Sequence, residues 1–332
     1  MASQTVATRS GALDAPRSGG KRHSVAKTRW YVVLGFMSLF IIGFGVFMAY
    51  PMVMVFYYSF TNFKVGNVTQ QITFVGFQNY ISLFKGSVGQ IFWTSVKNTL
   101  WMVVVIVPVE TIWAMLLASL INSYKRSVKA YRTILYLPAM APVVAASLSW
   151  ILMLNPTGPV NRGLAHLGIK GPLWLGDASW TKPTLVLMAM WMIGNTMVIF
   201  SAALLDVPKS LYEAAEIDGA GVFQRFFHVT LPSISPVIYF SVITGVIFTF
   251  QYFTQAFVIA TSNKMNLQTS TTIGGPGNSL FFYTTGIYQQ GFNFFKTNTA
   301  SAMAVLLFFV ILLITAIFIR MSRSLIYYQG EQ

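Results

Sequence analysis

Runs of residues without a charge constrain this chain more than any other feature. Residues 31–58 contain no Asp, Glu, Lys, Arg or His, and further apolar runs occupy about 92–121, 134–154, 183–205, 234–261 and 300–319. Roughly 20 apolar residues cross the hydrocarbon core of a bilayer as a helix. Inside that core a single-chain run must satisfy its own backbone, which a helix does. The expected fold is therefore all-α: a polytopic membrane protein with six transmembrane helices. Composition agrees, at 55% hydrophobic, 9% charged and a mean hydropathy of +0.62; a soluble domain does not look like this.

The charged residues lie mostly between the runs, and they orient them. Arg9, Arg17, Lys21, Arg22, Lys27 and Arg29 precede the first run, in a polar segment 1–29 that reads as a disordered basic tail. Lys125, Arg126, Lys129 and Arg132 follow the second, Lys209 and Arg225 the fourth, and Arg320 and Arg323 the sixth. The alternate connections hold fewer: Lys64, Lys85, Arg162, Lys170, Lys182, Lys264 and Lys296, with Lys97 at a border. Basic residues collect on the cytoplasmic side. Both termini, including a short tail 329–332, are thus expected in the cytoplasm of a bacterial or archaeal plasma membrane. The formal net charge of +14 then reflects topology, not nucleic-acid binding.

Other chemistries find no support. There is no cysteine, which excludes disulfides, thiol catalysis and Cys-bound metal. His23, His166 and His228 fall in three different connections, so no metal site or triad is expected. Gly20-Lys21 lacks a phosphate loop's other residues, with Ala15 and Arg22 at the deciding positions. Gly274-Gly275-Pro276-Gly277 has no Gly-Lys-Ser/Thr after it. The first run is too long for a signal core and no small-residue cleavage site closes it, so it reads as an uncleaved anchor.

Several runs are interrupted. Pro51 lies in the first, Glu110 in the second, Pro138 and Pro142 in the third. Prolines in a span need neighbours to repair the backbone. An ionisable residue in a span faces the bundle interior, for function or for a structural hydrogen bond. Phe74, Phe77, Tyr80 and Phe84 mark a short amphipathic piece at an interface, and Trp174 and Trp180 an ordered outer loop.

Residues 208–232 form the longest polar island between two apolar runs: PKSLYEAAEIDGAGVFQRFFHVTLP. Pro208 suits a first helical position, and Ser210 with Glu213 has capping-box spacing. Asp218-Gly219 then ends the helix, since Gly accepts a left-handed cap. A second helix follows through Phe223, Phe226 and Phe227 to Pro232. Glu213-Ala214-Ala215, with Gly219 and then Val229-Thr230-Leu231-Pro232, resembles the EAA loop of ABC importer permeases; Val229 stands where the family usually has Ile. Arg132-Thr133 through Leu137-Pro138 is similar to the entry to the third span of sugar-importer permeases.

The resemblance covers nearly all of residues 30–328 and is to the carbohydrate-uptake class, of maltose and glycerol-phosphate type. It implies that Glu213, Ala214, Ala215, Asp218, Gly219, Leu231 and Pro232 form a cytoplasmic coupling helix docked on an ATPase subunit. It implies a second, homologous permease subunit (a heterodimer), two ATPase subunits carrying ATP and Mg, and an extracytoplasmic solute-binding protein. This chain would bind no cofactor or metal and catalyse nothing; it would pass a sugar, an oligosaccharide or a sugar-like polyol phosphate by alternating access.

A polar solute crossing a low-dielectric slab needs hydrogen-bond partners on the way. The fifth run supplies Phe248, Thr249, Gln251, Tyr252 and Gln255, with Gln251 and Gln255 expected one turn apart on one helix face, like Phe248 and Tyr252. The fourth supplies Trp191, Asn195 and Thr196. Aromatic faces beside amides suit a sugar ring, although Gln, Asn and Thr also act as interhelical glue. Two other classes stay open: a six-span secondary transporter of a small polar solute, with Glu110 as its ion site, and an intramembrane enzyme, for which no nucleophile and base pair up.

Overall fold

The computed structural model of the chain describes residues 30–66, 71–123, 128–266 and 273–325. The expectations for 1–29, for Lys125 and Arg126, and for 329–332 lie outside them. Contacts divide the chain after residue 52 into two units. In the first, helix α1 (Trp30–Phe44) runs into a wider turn over Gly45–Ala49, closed by the Tyr50 N–H donating to the Gly45 carbonyl. Pro51 explains the widening. It has no N–H to give, and its ring crowds the carbonyl four residues back, so one extra residue is taken into the turn before it.

The second unit is helical too; among its described residues the only β feature is an isolated bridge between Thr61 and Phe74. Its main helices are α2 (Gly86–Ser123), α3 (Val128–Tyr136), α4 (Val143–Met153), α5 (Ala178–Trp191), α6 (Gly194–Asp206), α7 (Lys209–Ile217), α8 (Ser235–Phe250), α9 (Thr254–Asn266) and α10 (Thr297–Leu325), with shorter ones between them. Among the described residues, four stretches are long and apolar enough to cross a membrane: Trp30–Ser59, Val88–Ser123, Ser235–Ser262 and Thr297–Ser322. Two bent pairs, α3 with α4 at 95° and α5 with α6 at 50°, bring the number to six if each is one span.

The third and fourth spans are thus broken rods. The first break follows from its prolines. Leu137–Met140 tightens into a 3₁₀ turn around Pro138, and Ala141, held extended before Pro142 (φ −70°, ψ 136°), lets the chain restart as α4. At the second break, Gly194 opens α6 beside the end of α3. A Cβ there would stand 2.9 Å from the Cα of Tyr136, so only glycine permits the approach. At the head of α5, Asp177 caps the helix by accepting from the Ser179 N–H at 2.9 Å and the Ser179 hydroxyl at 2.7 Å. The backbone bond first, then the hydroxyl, holds this carboxyl below the usual range.

Helix α2 threads two apolar cores. Met102 and Ile106 join Ile151, Leu185, Met188, Ile259 and Phe282 in one; Ala114, Ala118 and Ile121 join Met197, Phe200 and Ile234 in the other. Buried polar groups tie the elements. Asn98 donates to the carbonyls of Asn278 (2.8 Å) and Phe281 (3.0 Å), holding the glycine-rich loop. Arg132 donates to the Ser201 hydroxyl (2.7 Å), which donates to Asn122 (2.8 Å).

Candidate functional site

The polar island folds as a hairpin. Its first arm is α7, with Pro208 just ahead of the helix (φ −58°, ψ 130°) and no side-chain cap. Pro208 is therefore the capping position, not the first helical one, and Ser210 and Glu213 form no capping box. The helix ends as expected on Gly219, at φ +76°. The Gly219 N–H donates to the Glu216 carbonyl (3.1 Å) and the Ala220 N–H to the Ala215 carbonyl (2.9 Å), the paired bonds of a Schellman turn. The second arm is Val222–Arg225, then a wide turn Phe226–Thr230, then Leu231–Ser233. The Leu231 N–H reaches back to Phe226 just before Pro232, repeating the arrangement at Pro51.

Two ties cross the hairpin: Tyr212 to the buried Thr230, oxygen to oxygen at 2.9 Å, and Arg225 to Glu216 at 3.6 Å. Glu216 is exposed and Arg225 half-buried, so the ion pair is screened by solvent and contributes at most about 1 kcal/mol. Tyr212 packs against the second core, which connects the hairpin to α2 and α6. The tip presents Ile217, Val222 and Phe223, each at least 73% exposed. Glu213, Ala214, Asp218, Gly219 and Pro232 are exposed beside them, while Ala215 and Leu231 are half-buried.

A cavity of about 530 Å³ opens among α2, α6, α8 and the start of α9. On α2, Ile106, Glu110 and Ala114 follow one another at helical spacing, so Glu110 falls between the two apolar cores and faces the gap left there. The cavity is lined by Asn195 and Thr196 from α6, by Phe248, Thr249, Gln251, Tyr252 and Gln255, and by Thr244, Phe253 and Thr254. Trp191 is not among the lining residues; it meets Trp150 edge to face at 5.8 Å.

The helix does not continue through this region. α8 stops at Phe250 and α9 begins at Thr254, so Gln251 and Gln255 do not share a helix face by one-turn spacing, nor do Phe248 and Tyr252. They meet in the cavity because the chain unwinds between them. Consecutive β-branched and aromatic residues weaken the helix here. The freed groups are satisfied locally: Gln251 Nε2 donates to the Ile247 carbonyl (3.1 Å), and the Thr284 hydroxyl donates to the Tyr252 carbonyl (2.6 Å). Helical-wheel reasoning missed Thr284, whose only sequence signal is a hydroxyl in an outer connection.

Comparisons with known proteins agree with this architecture. The family described as "Binding-protein-dependent transport system inner membrane component" matches residues 110–325. The "Probable ABC transporter permease protein YesP" of Bacillus subtilis (strain 168) is 32% identical over 299 residues, covering 90% of this chain and 92% of that one. The "Arabinooligosaccharides transport system permease protein AraP" of the same organism is 29% identical over 89% of each. In fold, the chain superposes on a chain of a bacterial alginate ABC transporter crystallised with a pentasaccharide-bound periplasmic protein. The TM-score is 0.73 at 24% identity, over 89% of this chain and 95% of that one. The chain therefore belongs to the family of inner membrane components of binding-protein-dependent transport systems.

Proposed function

We propose that this chain is the permease subunit of an ATP-driven importer for a sugar or oligosaccharide. Both termini and the 208–232 hairpin face the cytoplasm. The exposed apolar tip at Ile217, Val222 and Phe223 sits in a groove of an ATPase subunit, and Gly219 sets the turn that presents it. Two such ATPases, holding ATP and Mg, work with this chain, a second permease and an extracytoplasmic binding protein. Closure of the ATPases draws the hairpins together, and the bundle changes from inward-open to outward-open.

The observation that carries the reading is the cavity at the unwound joint between α8 and α9, where aromatic rings alternate with amides and hydroxyls. Such a mixture meets both the apolar faces and the hydroxyl edges of a pyranose or furanose ring. The name of the relative AraP, an arabinooligosaccharide permease, points the same way. The test is uptake of labelled arabinotriose and lactose by the complete transporter in proteoliposomes, with ATP inside. Uptake that needs internal ATP is expected. Uptake that continues after ATP depletion with a proton gradient kept would assign a secondary carrier instead.

A further inference from the structure

A second cavity, of about 240 Å³, lies between the first half of α2 and α10. Its floor is buried: Phe92 on α2, Phe250 at the end of α8, and Tyr283. The polar groups of that floor are already engaged. The Tyr283 N–H donates to the Thr99 hydroxyl oxygen (2.9 Å), and the Tyr283 hydroxyl donates to the Met303 carbonyl (3.0 Å). The rim is open, with Phe84, Trp93 and Leu100 exposed. Both helices that frame the opening belong to stretches apolar enough to cross a membrane, so the medium before it is lipid. An empty apolar gap forfeits the dispersion contacts of its lining, and hydrocarbon restores them.

Two lysines border the rim. Lys85 directly follows Phe84. Trp93, Val96 and Leu100 line the cavity from α2, and Lys97 completes that stripe at helical spacing. Both lysines are exposed, and neither forms an ion pair with a described residue. No acidic side chain lines the cavity. Lys97 is a charge within an apolar span, a costly placement that calls for a partner. Its stem can lie along the apolar rim while the ammonium reaches toward the outer membrane surface. A greasy slot bordered by unanswered cations fits a molecule with a hydrocarbon chain and an anionic head.

We propose that this cavity holds one anionic phospholipid of the outer leaflet, with an acyl chain on the Phe92–Phe250 floor and its phosphate between Lys85 and Lys97. The site stands apart from the solute cavity and does not depend on which solute is carried.

The test uses the complete transporter, purified and delipidated in detergent. The probes are phosphatidylglycerol and phosphatidylcholine with identical chains, each bearing a mid-chain diazirine. At limiting lipid, photolabelling of segments 92–100 and 306–310 should favour phosphatidylglycerol, by about fivefold for each lysine engaged. Lys85→Gln with Lys97→Gln should lower that labelling to the phosphatidylcholine level and leave labelling elsewhere on the spans unchanged. Val96→Phe, which fills the slot, should reduce labelling by both lipids there. Co-purification of the ATPases shows that each variant is assembled. If the double variant does not assemble, Lys97→Gln alone decides, and it should cut the preference about fivefold. Equal labelling by the two lipids overturns the proposal, as does a preference that survives loss of the lysines. Absence of label from these segments also overturns it, the outcome expected if side chains of a second permease fill the slot.

Discussion

Gly219 allows the coupling reading to be tested with little steric confusion. Its φ is +76°, and a Cβ built there meets nothing within 4 Å. Whatever a substitution costs must therefore come from the backbone and not from a clash. A left-handed conformation costs an ordinary L-residue about 1–2 kcal/mol, with β-branched residues at the high end and asparagine well below alanine. A loss of about 1 kcal/mol depopulates the native turn roughly fivefold, and about 2 kcal/mol roughly thirtyfold. The Schellman bonds from Gly219 and Ala220 should loosen in that order, and the apolar tip should lose its fixed aim. The assay is the number of ATP molecules hydrolysed per solute imported, with ATPase retention on the purified permease measured alongside. Coupling should fall in the order wild type, Gly219→Asn, Gly219→Ala, Gly219→Val. Normal coupling in Gly219→Val would refute the reasoning, and so would an alanine variant worse than the valine one, because backbone preference gives no such order.

Three further outcomes are expected. Replacing Gln251 and Gln255 together by Leu should raise the KM for the solute severalfold while ATPase assembly is unchanged, as read by uptake kinetics and co-purification. Gly194→Ala should cost about 1–3 kcal/mol by overpacking α6 against the Tyr136 backbone, visible as a lower melting temperature in detergent, whereas Gly163→Ala, which meets nothing within 4 Å, should not show it. The Asp177 cap should protect the head of α5 at neutral pH. Because its folded-state pKa is depressed, that protection is present above the unfolded value of about 3.9 and is lost as the pH falls through the lower folded value. Protection factors from hydrogen exchange across Ser179–Thr181 should fall there, and Asp177→Ala should show the lower protection at every pH.

Much of the fold could be read in advance because the runs are long and their punctuation is chemical. Pro138 and Pro142 announced the break between α3 and α4, and Asp218-Gly219 announced the end of α7. Glu110 stood out as a charge in an apolar run. The break between α5 and α6 carried no proline. Its cause is the contact of Gly194 with Tyr136, residues 58 positions apart by subtraction of their numbers, and no local window contains it. The unwinding at Gln251–Phe253 was hidden for the same reason: its stabilising hydroxyl comes from Thr284. Counting helical turns through that stretch placed the correct residues together by incorrect geometry. Trp191 lies four positions before Asn195, but the bend at Met192 and Ile193 intervenes, and its ring meets Trp150 instead.

The bond from Thr284 to the Tyr252 carbonyl has a consequence for how a solute is received. An interrupted membrane helix ordinarily leaves main-chain groups looking for water. Here one of them is already answered by a neighbour, so the interruption is a resting feature of the protein. On the proposed reading, an arriving molecule would not have to open the helix to reach its polar interior. It would find a gap already held open by Thr284.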